Sequence, residues 1–148
     1  MRTVDFRLEN QQLKAGSRLT LNPYVDGVHL RELARVVERP YTNAQLHGDT
    51  PGNYAGLADL AAVCWPSRHL LDEPGIRLGH HTVLLGCACG EVDCWPLAAR
   101  VEVTHKVVIW SRFLNGRRAW DLSALGRFVF ERDQYEEALA LAVPPPGE

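Results

Sequence analysis

The sequence predicts an α+β fold in which an antiparallel sheet is combined with a middle helix region and a C-terminal helix. Three observations lead to this class. Helical periodicity occurs in separate segments, a long middle stretch is rich in Pro, Gly, Asn and Asp, and the second half reads mainly as successive strands. Helices segregated from an antiparallel sheet are typical of α+β proteins. A chain of 148 residues predicts one domain over 1–143, followed by a mobile tail over 144–148.

The N-terminal part predicts two short strands and then a helix. Residues 3–8 and 18–24 have the character of short, half-buried strands. Over residues 28–38 the spacing changes to that of one helix face, and its apolar positions are Leu30, Leu33, Ala34 and Val37. The polar side is assigned to Arg31, Glu32, Arg35 and Glu38. Pro40 is expected to end this helix, because proline has no amide hydrogen to continue the bonding.

The middle of the chain, residues 39–58, has no sustained periodicity and predicts a long loop. A short helix is expected within residues 57–72, where apolar side chains recur at helical spacing until Trp65-Pro66. A long loop in a compact domain is often functional.

The second half predicts an antiparallel meander. A strand is expected over 81–89, with Cys87 and Cys89 on the same side, and the chain reverses at 90–93. Three further strands are expected over 96–104, 107–114 and 126–131, the second ending at the Asn115-Gly116 turn signal. Within that second strand, Trp110 is assigned to the less buried side, together with Arg112.

The C-terminal helix is predicted over residues 133–142. Its apolar stripe consists of Tyr135, Ala138, Leu139 and Ala142. Asp133 and Glu136 have the spacing of a capping box, in which two side chains bond the free amides at the start of a helix.

Composition and charge exclude several function classes. Charged residues make up 23% of the chain and the formal net charge is −2, whereas a nucleic-acid-binding domain is usually basic. No apolar stretch approaches the length of a spanning helix, and the N-terminus lacks the apolar segment of a secretory signal. We therefore expect a cytoplasmic protein that binds neither nucleic acid nor membrane. Thiols in that compartment stay reduced, which argues against a disulfide framework.

Three cysteines, Cys87, Cys89 and Cys94, lie within eight positions of one another. A strand that carries Cys87 and Cys89 on one side, followed by a reversal at Gly90, would bring Cys94 back beside them. Structural zinc takes four thiolate or imidazole ligands in tetrahedral geometry. The sequence therefore predicts a zinc site made by these three cysteines, with Cys64 as the fourth ligand. The alternative fourth ligands are His69, His80 and His81.

Other interpretations of the cysteines are open at the level of sequence. They are small residues on an apolar strand face, and free cysteine is among the most buried residue types. A cysteine next to a histidine would instead be reactive, and His80, His81 and His105 are the candidate neighbours. A disulfide between Cys89 and Cys94 would span the turn. The chain contains none of the common nucleophile, phosphate-loop or metalloprotease motifs, so no catalytic residue and no cofactor other than zinc is predicted.

The segment that contains the three cysteines is also similar in sequence to a known group of proteins. The stretch LLGCACGEVDCWPLAARVEV, followed by VIWSRF and FVFERDQYEEAL, resembles a family of small uncharacterised bacterial proteins with a Leu-Gly-Cys-x-Cys-Gly-x-x-x-Cys-Trp-Pro-Leu core. The earlier stretches YVDG and NYAGL are similar to that family as well. The resemblance implies a bacterial intracellular protein. It transfers no activity and no site residue.

Three functional hypotheses follow from the sequence: two that use the cysteines, and a purely structural interaction module without metal or a reactive thiol. The first is a non-catalytic interaction domain that binds another protein and holds zinc through Cys87, Cys89, Cys94 and Cys64. The alternative is a thiol-dependent enzyme or redox sensor that uses one cysteine of the 87–94 cluster.

Overall fold

The computed structural model describes residues 1–14, 16–42, 52–87, 95–116 and 119–145. Within these residues, nine strands form two antiparallel sheets and three α-helices are present, so the architecture is mixed and dominated by sheet. The last helix lies near the C-terminal end, as the sequence predicts. None of the described helices is long and apolar enough to cross a membrane.

The first sheet is a long hairpin with a short third strand. β1 (Val4–Leu13) pairs along its whole length with β2 (Gly16–Val25), so both strands are longer than the short ones predicted. Asp26 and Gly27, with φ of 51° and 82°, turn the chain into β3 (Val28–His29), which pairs with β2. Positive φ at both central positions is what a tight two-residue hairpin turn requires.

α1 (Leu30–Thr42) follows β3 directly and differs from the prediction in two respects. It continues past Pro40, because a proline near the end of a helix removes only one of the last hydrogen bonds. Leu30 and Ala34 are fully buried, as predicted, but Glu38 is buried as well, with 1% of its surface exposed. The assignment of Glu38 to the polar side of the helix is therefore wrong.

Residues 52–80 lie between α1 and the longer strands of the second sheet and contain only short elements. β4 (Tyr54–Ala55) and β5 (Arg77–Leu78) are two-residue strands, and α2 (Leu60–Val63) is a single turn. The backbones of Leu21 and Leu57 exchange hydrogen bonds of 2.8 and 3.0 Å, which ties this region to β2. Residues 43–51 of the predicted long loop lie outside the described residues.

The second sheet confirms the antiparallel order predicted for the second half. Its strands pair in the order β4-β6-β7-β8-β9, and β5 pairs with the start of β6. The four longer strands are β6 (His81–Cys87), β7 (Leu97–Val103), β8 (Val107–Asn115) and β9 (Phe128–Glu131). Residues 88–94, which contain the predicted reversal at Gly90, and residues 146–148 of the predicted tail lie outside the described residues.

Trp110 is fully buried, so its assignment to the less buried side is wrong. The pairing of β7 with β8 shifts between Ala98 and Arg100, and Arg112 has a φ of 53°. Trp110 and Phe113 are both buried, although the bulge places two residues between them. Arg112, one of these two residues, is exposed. The alternation of buried and exposed side chains along a strand does not hold across such a bulge, because the strand contains one extra residue there.

α3 (Arg132–Leu141) is the predicted C-terminal helix, and its apolar stripe is buried as predicted. The predicted capping box is wrong. The helix begins one residue earlier than expected, and Glu131 occupies the cap without a side-chain hydrogen bond. Asp133 then lies inside the first turn, while Glu136 pairs with Arg132 at 3.3 Å.

One aromatic core joins the two sheets through α3. The ring of Phe6 on β1 meets the ring of Tyr135 edge-on, with centroids 5.3 Å apart. Trp110 and Phe130 of the second sheet pack against the same ring. The Tyr135 hydroxyl accepts a hydrogen bond from Trp110 Nε1 at 3.1 Å and donates one to the Leu70 carbonyl at 2.6 Å. The polar atoms in this core are thus satisfied, as buried polar groups usually are.

Candidate functional site

Cys87, the first residue of the predicted zinc site, is the last residue of β6 and is 4% exposed. Cys89 and Cys94 lie outside the described residues. Cys64, the predicted fourth ligand, is buried directly after α2, and burial raises the pKa of its thiol to about 11. No group of three or more His, Cys, Asp or Glu side chains among the described residues is placed to hold a metal ion. The zinc site stays a prediction, because two of its four ligands fall outside this part of the chain.

The histidines considered as alternative ligands are placed elsewhere. His69 is fully buried and uses both ring nitrogens: Nε2 donates to the Val83 carbonyl at 2.9 Å, and Nδ1 accepts the Gly75 amide hydrogen at 3.1 Å. This arrangement leaves neither nitrogen for a metal. His80 and His81 lie at the start of β6, about 20 Å from its other end at a rise of roughly 3.3 Å per residue.

A buried polar cluster lies beside Cys87. Tyr54 of β4 is the cross-strand partner of Cys87, and its hydroxyl donates a hydrogen bond to Oε2 of Glu38 on α1. The same hydroxyl accepts a hydrogen bond from Nδ2 of Asn115 at 2.9 Å, and Oε1 of Glu38 accepts the Gly52 amide hydrogen at 2.9 Å. We call Glu38, Gly52, Tyr54 and Asn115 the Glu38–Tyr54 cluster, and all four residues are buried.

Cys87 and the Tyr54 side chain lie on the same face of the second sheet. Directly paired residues on antiparallel strands point to the same side, with Cβ atoms about 4.5–5.5 Å apart. β6 and β7 lie between β4 and β8, yet the Tyr54 hydroxyl reaches Asn115 at the end of β8. The Tyr54 ring therefore extends across the sheet face at the end of β6, where Cys87 lies. An ionised Cys87 is close enough to act electrostatically on the Tyr54 hydroxyl.

Burial dominates the electrostatics of this cluster. Burial raises the pKa of Glu38, and the hydrogen bonds from Tyr54 and the Gly52 amide offset this only in part. Burial, and then the negative charge of Glu38, raise the pKa of the Tyr54 hydroxyl. The hydroxyl proton therefore stays on Tyr54 at neutral pH, while the Glu38 carboxylate is a stronger base than an exposed one. Among the ion pairs of the described residues, none involves Glu38.

Gly52 is required for this arrangement because the chain approaches α1 closely there. Its φ of 67° lies in the left-handed region that favours glycine. A Cβ atom at this position would lie 2.7 Å from the Arg31 carbonyl oxygen and 2.8 Å from the Arg35 Cβ. Only a residue without a side chain lets the amide come near enough to bond Glu38.

The apolar and polar patterns of the sequence do not predict this cluster, although one signal for it is present. Glu38 follows Ala34 by four positions and Leu30 by eight, a spacing that places all three residues on the same helix face. Tyr54 lies in a segment without periodicity, and Asn115 is explained in the sequence as part of a turn. Only the strand order brings their side chains together with Glu38.

A second buried polar cluster joins the first sheet to α1. His29 donates from Nε2 to Oδ1 of Asn22 at 2.8 Å and accepts the Arg31 amide hydrogen at Nδ1 at 3.0 Å. Asn22 in turn donates to the carbonyl and hydroxyl oxygens of Thr20. Burial, aided by Arg31 and Arg7, lowers the pKa of His29 to about 4. The ring is neutral with both nitrogens bonded, as in a structural histidine.

An apolar groove lies between α1 and the segment that leads into β9. It has a volume of about 240 Å³ and is lined by six apolar residues, among them Leu33, Val36, Leu125 and Phe128, and by Arg2. Val36 is 60% exposed. Exposed apolar surface at a groove is one mark of a protein-binding face.

Comparison with known proteins places the chain in no family. No protein-family model matches it, no curated protein matches it, and no solved structure matches it. The resemblance carried by the cysteine segment therefore stays a prediction.

Proposed function

We propose that the protein is a cytoplasmic, non-catalytic interaction domain that binds zinc at one end of the β6–β7 strand pair. The position of Cys87 at the end of β6 supports this most directly. Leu85 of β6 pairs with Leu97 of β7, so the end of one strand lies beside the start of the other. Cys89 follows Cys87 by two positions and Cys94 precedes β7 by three. Because only short segments separate Cys89 and Cys94 from these strand ends in the sequence, we propose that the three thiols meet there.

Zinc at this position would hold the two strands together. Three thiolates leave one position of a tetrahedral site, and the proposal assigns it to Cys64. The burial of Cys64 fits a structural site, because such sites are closed to water. Thiolate ligands bind protons in competition with the metal, so acid and chelators should both release zinc and destabilise the domain.

The test is elemental analysis of freshly purified protein together with a count of thiols under native conditions. We expect about one zinc ion per chain. Cys89→Ser should lose zinc and lower the melting temperature together. The unmutated protein treated with chelator is the matched control, and its melting temperature should fall toward that of the variant. An unchanged melt with no metal in either protein would contradict the proposal.

A second candidate function is that of a thiol-dependent enzyme or redox sensor that uses one of Cys87, Cys89 and Cys94. The Glu38–Tyr54 cluster favours it, because a buried carboxylate there is separated from the neighbourhood of Cys87 by a single hydroxyl group. A thiol reacts as its thiolate, and a base nearby promotes formation of that species.

The two candidates differ in how the cysteines of the folded protein behave. The redox candidate expects one cysteine that is alkylated rapidly below about pH 7 in metal-free protein. Slow labelling of all four thiols would contradict it. Full zinc occupancy, with thiols that become reactive only after chelation, would favour the first candidate.

Binding of another protein is the remaining part of the proposal, and the groove at Val36 supports it. Val36→Asp would place a charge in this groove and should weaken binding of any partner isolated with the native protein. Val28 is also exposed, at 41%, so Val28→Asp is a matched control. If Val36→Asp and Val28→Asp bind the partner equally well, the groove is not the surface that contacts it.

A further inference from the structure

We infer that Arg100 and Arg112 bind a phosphate group on the outer face of the second sheet, near the start of β6 and therefore away from Cys87 at its end. The inference goes beyond the proposed function, because it depends neither on the zinc site nor on a reactive thiol. It begins with the backbone of Arg112.

Arg112 has a strained backbone. Its φ of 53° lies in the left-handed region, which is unfavourable for a residue that has a Cβ atom. It is the first of the two β8 residues that lie opposite Ala99 of β7, because the register shifts between Ala98 and Arg100. Glycine usually occupies such a position in a bulge with left-handed φ. Strained residues of this kind cluster at functional sites, so an exposed arginine here points to a role outside the core.

The strand register brings other arginines beside Arg112. Arg100 of β7 is directly paired with Ser111 of β8, so the two side chains point to the same side with Cβ atoms about 4.5–5.5 Å apart. Arg112 follows Ser111 in the chain. Arg127 is exposed and directly precedes Phe128, the first residue of β9 and the partner of the residue before Ser111. Three arginines therefore surround one serine hydroxyl.

His81 of β6 adjoins the same surface. It lies opposite Arg100, because the next residues along, Thr82 and Ala99, are paired. Burial, and then the positive groups around the ring, among them Arg100 and Arg112, lower the pKa of His81. Both guanidinium groups are thus within electrostatic reach of one ring, in agreement with the register.

This surface is open and keeps a positive charge. Arg100 is exposed and Ser111 is half-buried. The acidic neighbour is Glu102, whose Oε1 lies 3.7 Å from Arg100 Nε. That separation is too long for a hydrogen bond, and an ion pair between exposed side chains contributes little. Among the ion pairs of the described residues, none involves Arg112.

The donors of this surface match a phosphate group. A guanidinium group can bind two phosphate oxygens at once through parallel N–H donors, and the Ser111 hydroxyl can donate to a third. A phosphate monoester carries a charge of about −1.5 to −2 at neutral pH. Arg100 and Arg112 together offset this charge, whereas a carboxylate would leave one of them without a partner.

The experiment titrates the protein with inorganic phosphate at constant ionic strength and follows the amide chemical shifts by NMR. We expect saturable shifts at Arg100, Ser111 and Arg112. Arg112→Gly should weaken phosphate binding at least roughly tenfold, because it removes charge-assisted hydrogen bonds. The same variant should raise the melting temperature by about 2–4 °C, because glycine relieves the strain. A more stable protein that binds more weakly is not expected from a merely structural residue.

Three variants serve as controls. Arg100→Gly should weaken binding similarly but lower the melting temperature, because glycine within a regular strand weakens it. Glu102→Gln removes the acidic neighbour and should tighten phosphate binding. Arg18→Gln removes an exposed arginine from the first sheet and should leave binding unchanged.

Glycerol phosphate and phosphoserine, titrated in the same way, distinguish the sources of the phosphate group. Tighter binding of one of them than of inorganic phosphate would support the inference and identify the class of ester. Equal binding of all three would support recognition of the phosphate group alone.

Two outcomes would overturn the inference. One is the absence of saturable shifts at up to about 10 mM of each of the three phosphates. The other is equal affinity of Arg112→Gly and the unmutated protein. If Arg112→Gly does not fold, Arg112→Gln provides the same test of affinity, because it keeps a side chain of similar length without the charge.

Discussion

The Tyr54 hydroxyl donates a hydrogen bond to the Glu38 carboxylate at a position where 4% of the tyrosine and 1% of the glutamate are exposed. This bond joins α1 to the end of the second sheet that carries Cys87. Because both groups are buried, neither can find water in place of its partner. Removal of either partner would therefore break a hydrogen bond that water cannot replace.

Glu38→Gln is expected to change how stability depends on pH. Burial raises the pKa of Glu38 above the ordinary value of 4.5, so the folded protein binds this proton more tightly than the unfolded chain. The contribution is fully present below about 4.5 and is lost as the pH rises through the folded pKa. Glutamine does not titrate. Between about pH 4 and 8, the free energy of urea unfolding should therefore fall relative to that of the variant. Parallel curves would contradict this.

Gly52→Ala is expected to destabilise the protein more than Gly79→Ala. Both glycines have positive φ, of 67° and 58°, so alanine should cost about 1 kcal/mol of backbone strain at either position. At Gly52 the new Cβ would also lie 2.7 Å from the Arg31 carbonyl oxygen, whereas nothing lies within 4 Å at Gly79. We expect losses of about 3 and about 1 kcal/mol in urea unfolding. Equal losses would show that α1 moves aside freely.

His69→Ala is expected to cost at least about 2 kcal/mol, because it empties the space of a fully buried ring and removes the partner of three backbone groups, one of them in a buried hydrogen bond. These groups are the Val83 carbonyl and the amides of Gly75 and Ile76. Exposed His105 provides a control, and His105→Ala should change the free energy of unfolding by less than about 0.5 kcal/mol.

The same histidine should contribute to acid sensitivity. Burial lowers the pKa of His69, so its contribution to stability is present above the ordinary value of 6.5 and is lost as the pH falls below it. The unmutated protein should therefore lose free energy of unfolding faster than His69→Ala as the pH is lowered from about 6.5 to 5. Identical pH dependence in the two proteins would contradict this.

The parts of the fold that sequence predicts well are those with a long, regular pattern. The stripe of α3 from Tyr135 to Ala142 is buried as its spacing indicates, and the antiparallel order of the second half is confirmed. The failures have local causes. A bulge near Arg112 interrupts the alternation of side chains from which Trp110 is assigned to the less buried side. α1 continues past Pro40 because the proline affects only the last turn of the helix. Neither effect is visible in apolar spacing.

The candidate site is less predictable because it is assembled from distant parts of the chain. Cys87 can be recognised as a candidate from the sequence because Cys89 and Cys94 lie close to it. Tyr54 is distant in sequence and lies beside Cys87 because β4 pairs with β6. The spacing of Glu38 to Leu30 and Ala34 indicates that Glu38 lies on the buried face of α1. It is nevertheless assigned to the polar side in the sequence because it is charged. A carboxylate on an apolar helix stripe indicates a buried partner, since burial without one is costly.

Cys64→Ala distinguishes a zinc ligand from a residue that only fills the core. Cys64 is 4% exposed, so loss of its thiol should cost about 1 kcal/mol through packing alone. As a ligand it would also lose the stabilisation that bound zinc provides. We therefore expect zinc content to fall, and the loss in urea unfolding to be larger without chelator than with it. Val63→Ala is the matched control, because Val63 is fully buried in the preceding helical turn and its truncation should leave zinc in place. Equal losses for Cys64→Ala in the two conditions, with zinc retained, would leave this thiol a packing role only and require another fourth ligand.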